Sequence, residues 1–229
     1  MREPESPGIP EKKPDESVHT GCRLDNSAEI PIDPLEIQRY CPLKLPGFMS
    51  TFIALLRGIN VSGQKIIKMT DLKAMFESIG CTEVQTYIQS GNVVFDHPDS
   101  DAGELRRKIE AHIQSQTGDA VPTLLRTHAE LAVIVAANPY DESLADFGKR
   151  MYVCFFDNPP SEAAIASILP FTHADGQLEV RGREAFVYYS EGLGKAKLSH
   201  ALIERRLGMT TMRNWNTVNK LLEMSRPHR

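Results

Sequence analysis

Hydrophobic positions alternate between strand-like and helix-like spacing from about residue 49 to the C-terminus. The first clear element is the continuous apolar run over 52–56, which is typical of a buried strand. The segments predicted after it are a helix over 70–79, strands over 84–89 and 92–95, a helix over 105–117 and a strand over 121–126. Their order is β-α-β-β-α-β, the ferredoxin-like split unit.

Capping and turn residues set the expected ends of these elements. Thr70 is the predicted N-cap of the first helix, and Gly118 follows the second. Thr127 and Glu130 have the spacing of a capping box and predict a connecting helix. Pro122 lacks a backbone N–H and therefore places its strand at an edge of the sheet.

The same pattern begins again about a hundred residues later. A strand is predicted over 150–156, a short helix over 161–169, strands over 177–180 and 185–189, a helix over 198–207 and a brief strand over 210–213. A closing helix follows, with Val218, Leu221 and Leu222 on one face. We therefore predict an α+β fold of two degenerate ferredoxin-like (βαββαβ) subdomains plus a C-terminal helix. Sequence identity between the two halves is negligible, so only the pattern repeats.

Residues 1–48 have a different composition from the rest of the chain. They contain 8 of the 15 prolines, with nine acidic and six basic residues, and they show no sustained periodicity. We predict a disordered, proline-rich tail. Met49 is also a candidate start codon, in which case the tail is not part of the natural protein. The predicted domains are this tail over 1–48, the first subdomain with the connecting helix over 49–138, and the second subdomain with the C-terminal helix over 139–229.

Composition excludes several classes of protein. No apolar run reaches 18 residues, and the N-terminus lacks the apolar stretch of a secretory signal, so we expect neither a membrane partner nor secretion. The four cysteines have no C-x-x-C spacing, which favours free thiols in the cytoplasm. Histidines are scattered without metal-ligand spacing, so we expect no metal site and no cofactor.

Three sequence motifs carry a resemblance to a known family. They are ALLRGINVSG over 54–63, TYIQSGNVVF over 86–95 and TMRNWNTV over 211–218. In this order they resemble the bacterial domain of unknown function 1697 family, over residues 49 to about 223. The family's usual Gly-Gly after Val61 reads Ser62-Gly63 here, and its Thr-Ala-Arg-Asn-Trp reads Thr-Met-Arg-Asn-Trp. The resemblance implies a pair of ferredoxin-like subdomains and implies no reaction.

The loop after the first strand is the first candidate site. Arg57, Gly58, Asn60, Gly63 and Lys65 follow a buried strand, as in phosphate-cradling loops. The lysine does not directly follow the second glycine and no hydroxyl follows it, so this is not a Walker loop. A looser anion nest of backbone N–H groups remains open. The alternative is a loop that needs its glycines for geometry, with Arg57 paired to a carboxylate.

Two features near the C-terminus also point to anions. The glycine-bearing stretch 190–197 is predicted to open a helix with Lys195 and Lys197 in its first turn, where a bound anion would offset their conflict with the helix dipole. It lacks the third glycine of a dinucleotide fingerprint. Residues 194–229 carry eight basic and two acidic side chains, which predicts either a phosphate-binding patch or solvated helix faces. Within this segment Asn216 is the expected cap of the last helix.

The residue types favour binding over catalysis. Ser199 and His200 are adjacent on a predicted helix and point about 100° apart, which is poor geometry for a proton relay. The predicted strands also lack the aromatic pattern of RNA-recognition sheets. We predict a binding module for a phosphorylated small molecule or nucleic acid, the alternative being an enzyme on a small phosphorylated metabolite. A third possibility is that the motif residues are only structural and the protein acts through a partner. The predicted ligand-binding residues are Arg57, Asn60, Lys65, Lys197 and Arg213, supported by Ser90, Asn92, Asn214 and Asn216.

Overall fold

The computed structural model of the protein describes residues 49–61, 63, 65–98, 101–172, 176–194 and 196–226. The first half contains β1 (Ser50–Leu56), α1 (Met69–Ser78), β2 (Thr82–Tyr87), β3 (Asn92–His97), α2 (Ala102–Thr117) and β4 (Thr123–Thr127). The connection contains α3 (His128–Ala136) and the short α4 (Phe147–Arg150). The second half contains β5 (Met151–Phe156), α5 (Glu162–Ile168), a 3₁₀ turn (Leu169–Phe171), β6 (Gln177–Arg181), β7 (Glu184–Tyr188), α6 (His200–Leu207), β8 (Thr210–Asn214) and α7 (Trp215–Met224).

Each half forms its own four-stranded antiparallel sheet. The strand orders are β2-β3-β1-β4 and β6-β7-β5-β8, which is the order that a β-α-β-β-α-β chain produces. The prediction of two ferredoxin-like subdomains and a C-terminal helix is therefore confirmed. β4 lies at a sheet edge, as Pro122 predicts. The predictions made for residues 1–48 concern a segment outside the described residues.

Both faces of each sheet are buried, which explains why β1 reads as a continuous apolar run. One face of β1 packs with α1 and α2 in the core of the first half, through residues such as Phe52 and Leu56. The other face, with Ile53 and Leu55, belongs to a central core between the halves. That central core contains Val94, Leu124, Val153, Phe155, Phe186 and Tyr188 from the strands, and Leu131, Ile134, Trp215, Val218 and Leu221 from α3 and α7.

The central core covers the sheet faces that ferredoxin-like RNA-binding proteins leave open. In those proteins bases stack on aromatic side chains of the exposed face. Here Phe186 and Tyr188 are at most 4% exposed and pack with the other half. Phe95 is buried in the core of the first half, under α1. The described sheets therefore present no aromatic platform to a ligand.

Predictions of the helix boundaries were correct in part. The Thr127–Glu130 capping box at α3 is confirmed by both of its hydrogen bonds, and Gly118 is the C-cap of α2. The predicted cap at Thr70 is wrong, because α1 already begins at Met69 and Lys68 precedes it without a side-chain cap.

Two corrections concern the C-terminal segment. Asn214, not Asn216, caps α7: its Oδ1 accepts the Thr217 N–H at 2.9 Å. Lys197 does not lie in the first turn of a helix, because α6 begins only at His200, after the N-cap Ser199. The expected conflict between Lys197 and a helix dipole is therefore absent.

The described cysteines are small core residues. Cys81 and Cys154 are free and buried, and burial raises the pKa of each thiol to about 12. They remain protonated at neutral pH and so lack the thiolate that nucleophilic chemistry needs. Among the described residues, no helix has the length and apolar character needed to cross a membrane.

Candidate functional site

The loop after β1 is held closed by the side chain of Asn60. Its Nδ2 donates to the Ile67 carbonyl at 3.0 Å and to the Gln89 carbonyl at 2.9 Å, and its Oδ1 accepts the Ile67 N–H at 2.9 Å. Both amide protons are thus used inside the protein. Asn60 closes the loop and ties it to the turn between β2 and β3, so its direct contribution to a ligand would be limited to its oxygen.

Gly58 and Lys65 lie at the two ends of this loop. Gly58 has φ +71°, and a Cβ built on it would meet no atom within 4 Å, so its backbone faces open space. Lys65 donates from Nζ to the Ala120 carbonyl at 2.6 Å, across to the connection between α2 and β4. An ammonium group has three protons, so Lys65 keeps donors for a ligand in this position.

Gly91, in the turn that Asn60 holds, packs directly against this loop. It has φ +79°, and an added Cβ would lie 2.8 Å from both Ile59 Cδ1 and Leu56 Cβ. We expect Gly91→Ala to lower the free energy of unfolding by about 2 kcal/mol, from backbone strain plus overpacking. Gly58 has a similar φ but open space around it, so Gly58→Ala introduces only the backbone strain and should cost about 1 kcal/mol. Urea unfolding of the two variants measures both; equal losses would contradict the packing argument.

Arg213 lies in β8 of the second half, but its side chain enters the first half. It is 7% exposed, and burial lowers its pKa to about 10, so it stays charged at neutral pH. All five guanidinium N–H groups have acceptors within the protein. The acceptors are Asn92 Oδ1, Thr211 Oγ1 and the backbone carbonyls of Leu56, Ser90, Gly91 and Met212.

Asn92 and Ser90 help to position the acceptors that surround the Arg213 guanidinium. Asn92 is fully buried, and its Nδ2 donates to the Tyr87 carbonyl at 2.9 Å and to Ser90 Oγ at 3.1 Å. These bonds orient its Oδ1 toward Arg213. The structure therefore brings five of the predicted residues into one region, namely Arg57, Asn60, Ser90, Asn92 and Arg213. Arg213 has no proton left for a ligand.

A second buried arginine, Arg126, makes the reciprocal connection. It lies in β4 of the first half, is 2% exposed, and contacts the second half. Its Nε and Nη2 donate to Glu184 Oε1 at 3.0 and 2.8 Å, and Nη2 also donates to the Phe156 carbonyl at 2.8 Å. Nη1 donates to the Leu125 carbonyl at 2.9 Å, and the guanidinium also lies over the Phe155 ring, 5.8 Å from its centroid.

Strand register shows that the two arginines occupy equivalent positions. Arg126 lies opposite Ile53 in β1, and Arg213 lies opposite Val153, the corresponding residue of β5. Their side-chain acceptors also correspond, because Asn92 begins β3 and Glu184 begins β7. Each half therefore inserts the arginine of its last strand into the other half, around an approximate two-fold axis.

Sequence reasoning missed Arg126, although a local signal existed. The last strands read TLLRT over 123–127 and TTMRN over 210–214, so each arginine stands three residues after a threonine. Each is followed directly by the N-cap of a helix, Thr127 before α3 and Asn214 before α7. Aligning the halves on these strands would have matched the two arginines.

Two partly exposed ion pairs flank the buried arginines. Together with the contacts of Arg126 and Arg213, these pairs form the polar junction between the two halves. Arg57, directly after β1, binds Glu204 Oε1 on α6 through Nη2, and the two side chains are 36% and 27% exposed. Asp157, directly after β5, binds Arg106 on α2 with 2.6 Å between Oδ2 and Nη1. In each pair, the residue that follows the first strand of one half binds the second helix of the other half. The arginine follows the strand in the first pair and lies on the helix in the second pair.

His200, at the start of α6, lies near the Arg57–Glu204 pair. Its Nε2 is buried and has no hydrogen-bond partner. Desolvation is the main cause that lowers the pKa of His200; Arg57 and Arg213 lower it further, while Glu204 and a hydrogen bond with the Thr210 backbone oppose them. The ring is therefore neutral at neutral pH, with an unused nitrogen beside a charged cluster. No local pattern predicts that His200 lies beside this ion pair, because Arg57 and Glu204 are 147 residues apart.

The remaining predicted residues lie in the connection before α6 and at the start of α7. Lys197 is exposed in the connection between β7 and α6. Asn214 is used as the cap of α7, and Asn216 is exposed in the first turn of that helix. Within the described ranges, His, Cys, Asp and Glu side chains form no group of three or more that could hold a metal ion.

Comparison with known proteins identifies a family. No curated protein matches the chain. Among solved structures, the conserved bacterial protein SP0830 from Streptococcus pneumoniae is similar in fold, with a TM-score of 0.64 and 23% identity over 78% of this chain and 100% of that one. The family described as "Protein of unknown function (DUF1697)" matches residues 49–186, which is more than half of the chain. The chain belongs to this family.

Proposed function

We propose that the protein is a binding module for a phosphorylated small molecule, held where the loop after β1 meets α6. The proposal rests on the exposure and pairing of Arg57. Its guanidinium is partly exposed and binds a single carboxylate, that of Glu204 in the other half. A ligand phosphate can replace that carboxylate, because both groups accept the bidentate hydrogen bonds that arginine offers.

The neighbouring residues would support this role in different ways. The open space above Gly58 lets a phosphate approach the loop backbone. Lys65 and Lys197 add positive charge near the loop and before α6. The N–H groups of three predicted residues already have acceptors inside the protein, so these residues shape the site but donate no hydrogen bond to a ligand: Asn60, Asn92 and Arg213. Ser90 can still donate from its hydroxyl group. Asn214 and Asn216 would contribute only through the start of α7.

A small molecule is favoured over a nucleic acid because, in each half, the sheet face on which bases could stack is buried between the halves. The alternative function, an enzyme on a small phosphorylated metabolite, is favoured by one observation: the unpartnered Nε2 of His200 beside the same ion pair. A positioned imidazole nitrogen is a common general base. The proposal places the protein in the cytoplasm, where phosphorylated metabolites are abundant.

The test compares Arg57 with its counterpart in the second ion pair. We expect phosphate, pyrophosphate, nucleotides or phosphosugars to raise the melting temperature of the 229-residue protein. Arg57→Gln should weaken the hits about ten- to a hundredfold, because a charge-assisted hydrogen bond contributes about 1.5–3 kcal/mol. Arg106→Gln removes the equivalent pair and should leave binding unchanged.

The same screen includes short RNA and DNA at two salt concentrations. A nucleic-acid ligand would show a steep loss of affinity with salt, because phosphate contacts release counterions. Failure of every anion to shift the melting temperature would reject the proposal. So would equal effects of Arg57→Gln and Arg106→Gln.

A further inference from the structure

His200 and Glu204 share one face of α6. They are four residues apart, which places them one above the other on the helix surface. Glu204 reaches Arg57 through Oε1. The hydrogen bond of His200 with the Thr210 backbone favours the protonated ring, so Thr210 accepts it from Nδ1. The neutral ring then keeps its lone pair on Nε2, a buried acceptor without a donor.

Binding of an anion at Arg57 would change the surroundings of this ring. The anion takes the place of the Glu204 carboxylate and neutralises the Arg57 charge. The displaced carboxylate is then free of its arginine and lies one turn from His200. Both changes favour an imidazolium ion, because one repelling charge is neutralised and one attracting charge is released.

On the basis of the proposed anion site, we infer that phosphate binding at Arg57 is coupled to uptake of a proton by His200, which then binds Glu204 through Nε2–H. The proton comes from the solvent, no covalent bond to the ligand forms, and the net charge of the protein rises by about one unit. Glu204, Arg57 and Arg213 are the charged groups that act on His200. Of these, Arg213 is fixed by its buried hydrogen bonds and does not move.

The coupling gives the site a pH dependence of known sign. Free His200 is neutral at neutral pH, whereas the bound form carries a proton. Affinity therefore falls as pH rises, by up to about tenfold for each pH unit between the pKa of the free ring and that of the bound ring. Below the pKa of the free ring the proton is already in place, and the dependence on His200 disappears.

Calorimetric titration with pyrophosphate in two buffers of different ionisation enthalpy measures the protons taken up. Because pyrophosphate itself titrates, the informative quantity is the difference between the unsubstituted protein and His200→Gln. We expect a difference of several tenths to about one proton at pH 7.5. His112→Gln is the matched control, since His112 contacts Ser78 on the outer helices and should not change the value.

The His200 ring signal gives the same answer without a substitution. Its titration midpoint, followed by NMR, should move to higher pH on addition of pyrophosphate. Pyrophosphate binding that depends on Arg57 but shows no proton difference and no shift overturns the inference and leaves the anion site standing. Absence of pyrophosphate binding overturns the inference, whereas the anion site itself is rejected only when every anion in the screen fails to bind.

Discussion

Replacement of Arg213 by methionine is expected to lower the free energy of unfolding by about 4 kcal/mol. Methionine fills much of the volume but donates no hydrogen bond. The Oδ1 of Asn92 and the carbonyls of Leu56 and Ser90 would lose their partner inside the junction. Each buried acceptor left without a donor costs about 1–3 kcal/mol, and loss of a buried charged group from its network costs about 3–5 kcal/mol.

Urea unfolding measures this loss, with Arg57→Met as the control. Arg57 also joins the two halves, but it is about a third exposed, so removal of its ion pair should cost less than about 1 kcal/mol. Comparable losses for the two variants would show that Arg213 is not the main polar connection at its end of the junction. We also expect Arg213→Lys to rescue stability only in part, because an ammonium group cannot span acceptors on β1, β3 and the turn before β3.

Replacement of Arg126 by methionine is expected to cost about 3–5 kcal/mol at neutral pH, and this loss should depend on pH. Glu184 is 12% exposed and would be left as an uncompensated charge in the junction. Burial already raises its pKa above the ordinary value, against the lowering by Arg126 and, more weakly, by Arg183. Without Arg126 the pKa of Glu184 must rise further.

The direction of the pH effect follows from proton binding. When the folded pKa of a carboxyl group exceeds its unfolded pKa, the folded state binds more protons between the two values, and stability falls as pH rises. Arg126→Met should therefore be least stable at pH 8 and recover toward pH 5. The double variant Arg126→Met/Glu184→Gln should recover stability at pH 8 and lose the pH dependence. A loss that is the same at pH 5 and pH 8 would contradict this explanation.

Several features of the fold followed from local sequence because their causes are local. The apolar runs, the Thr127 capping box, Gly118 and Pro122 each act on residues within a few positions, and the structure confirms them. One error arose where two polar residues were both suitable for the same role. Asn214 and Asn216 are both good caps, and only the end of β8 decides which one precedes the helix.

For the candidate site, the sequence motifs identify important residues but not their partners. Arg57 and Arg213 were recognised as important from their motifs, but a motif does not say whether a guanidinium faces a ligand or the protein. Arg213 is buried among acceptors from the other half, and Arg57 is held at the junction by Glu204. The reciprocal Arg126–Glu184 connection lies within no family motif that we recognised, and its partners are 58 residues apart.

The alternation of apolar periods by itself determined two β-α-β-β-α-β halves, because the burial of each strand and helix is written in its own spacing. The proline-rich composition likewise set residues 1–48 apart from the rest. Only the tertiary structure decided how the halves meet: around a central core that both sheets share with α3 and α7, and with an arginine exchanged in each direction. The physical reason is that an isolated ferredoxin-like half leaves one apolar sheet face open. Contacts between residues far apart in the chain determine what covers that face and which charged side chains are buried with it.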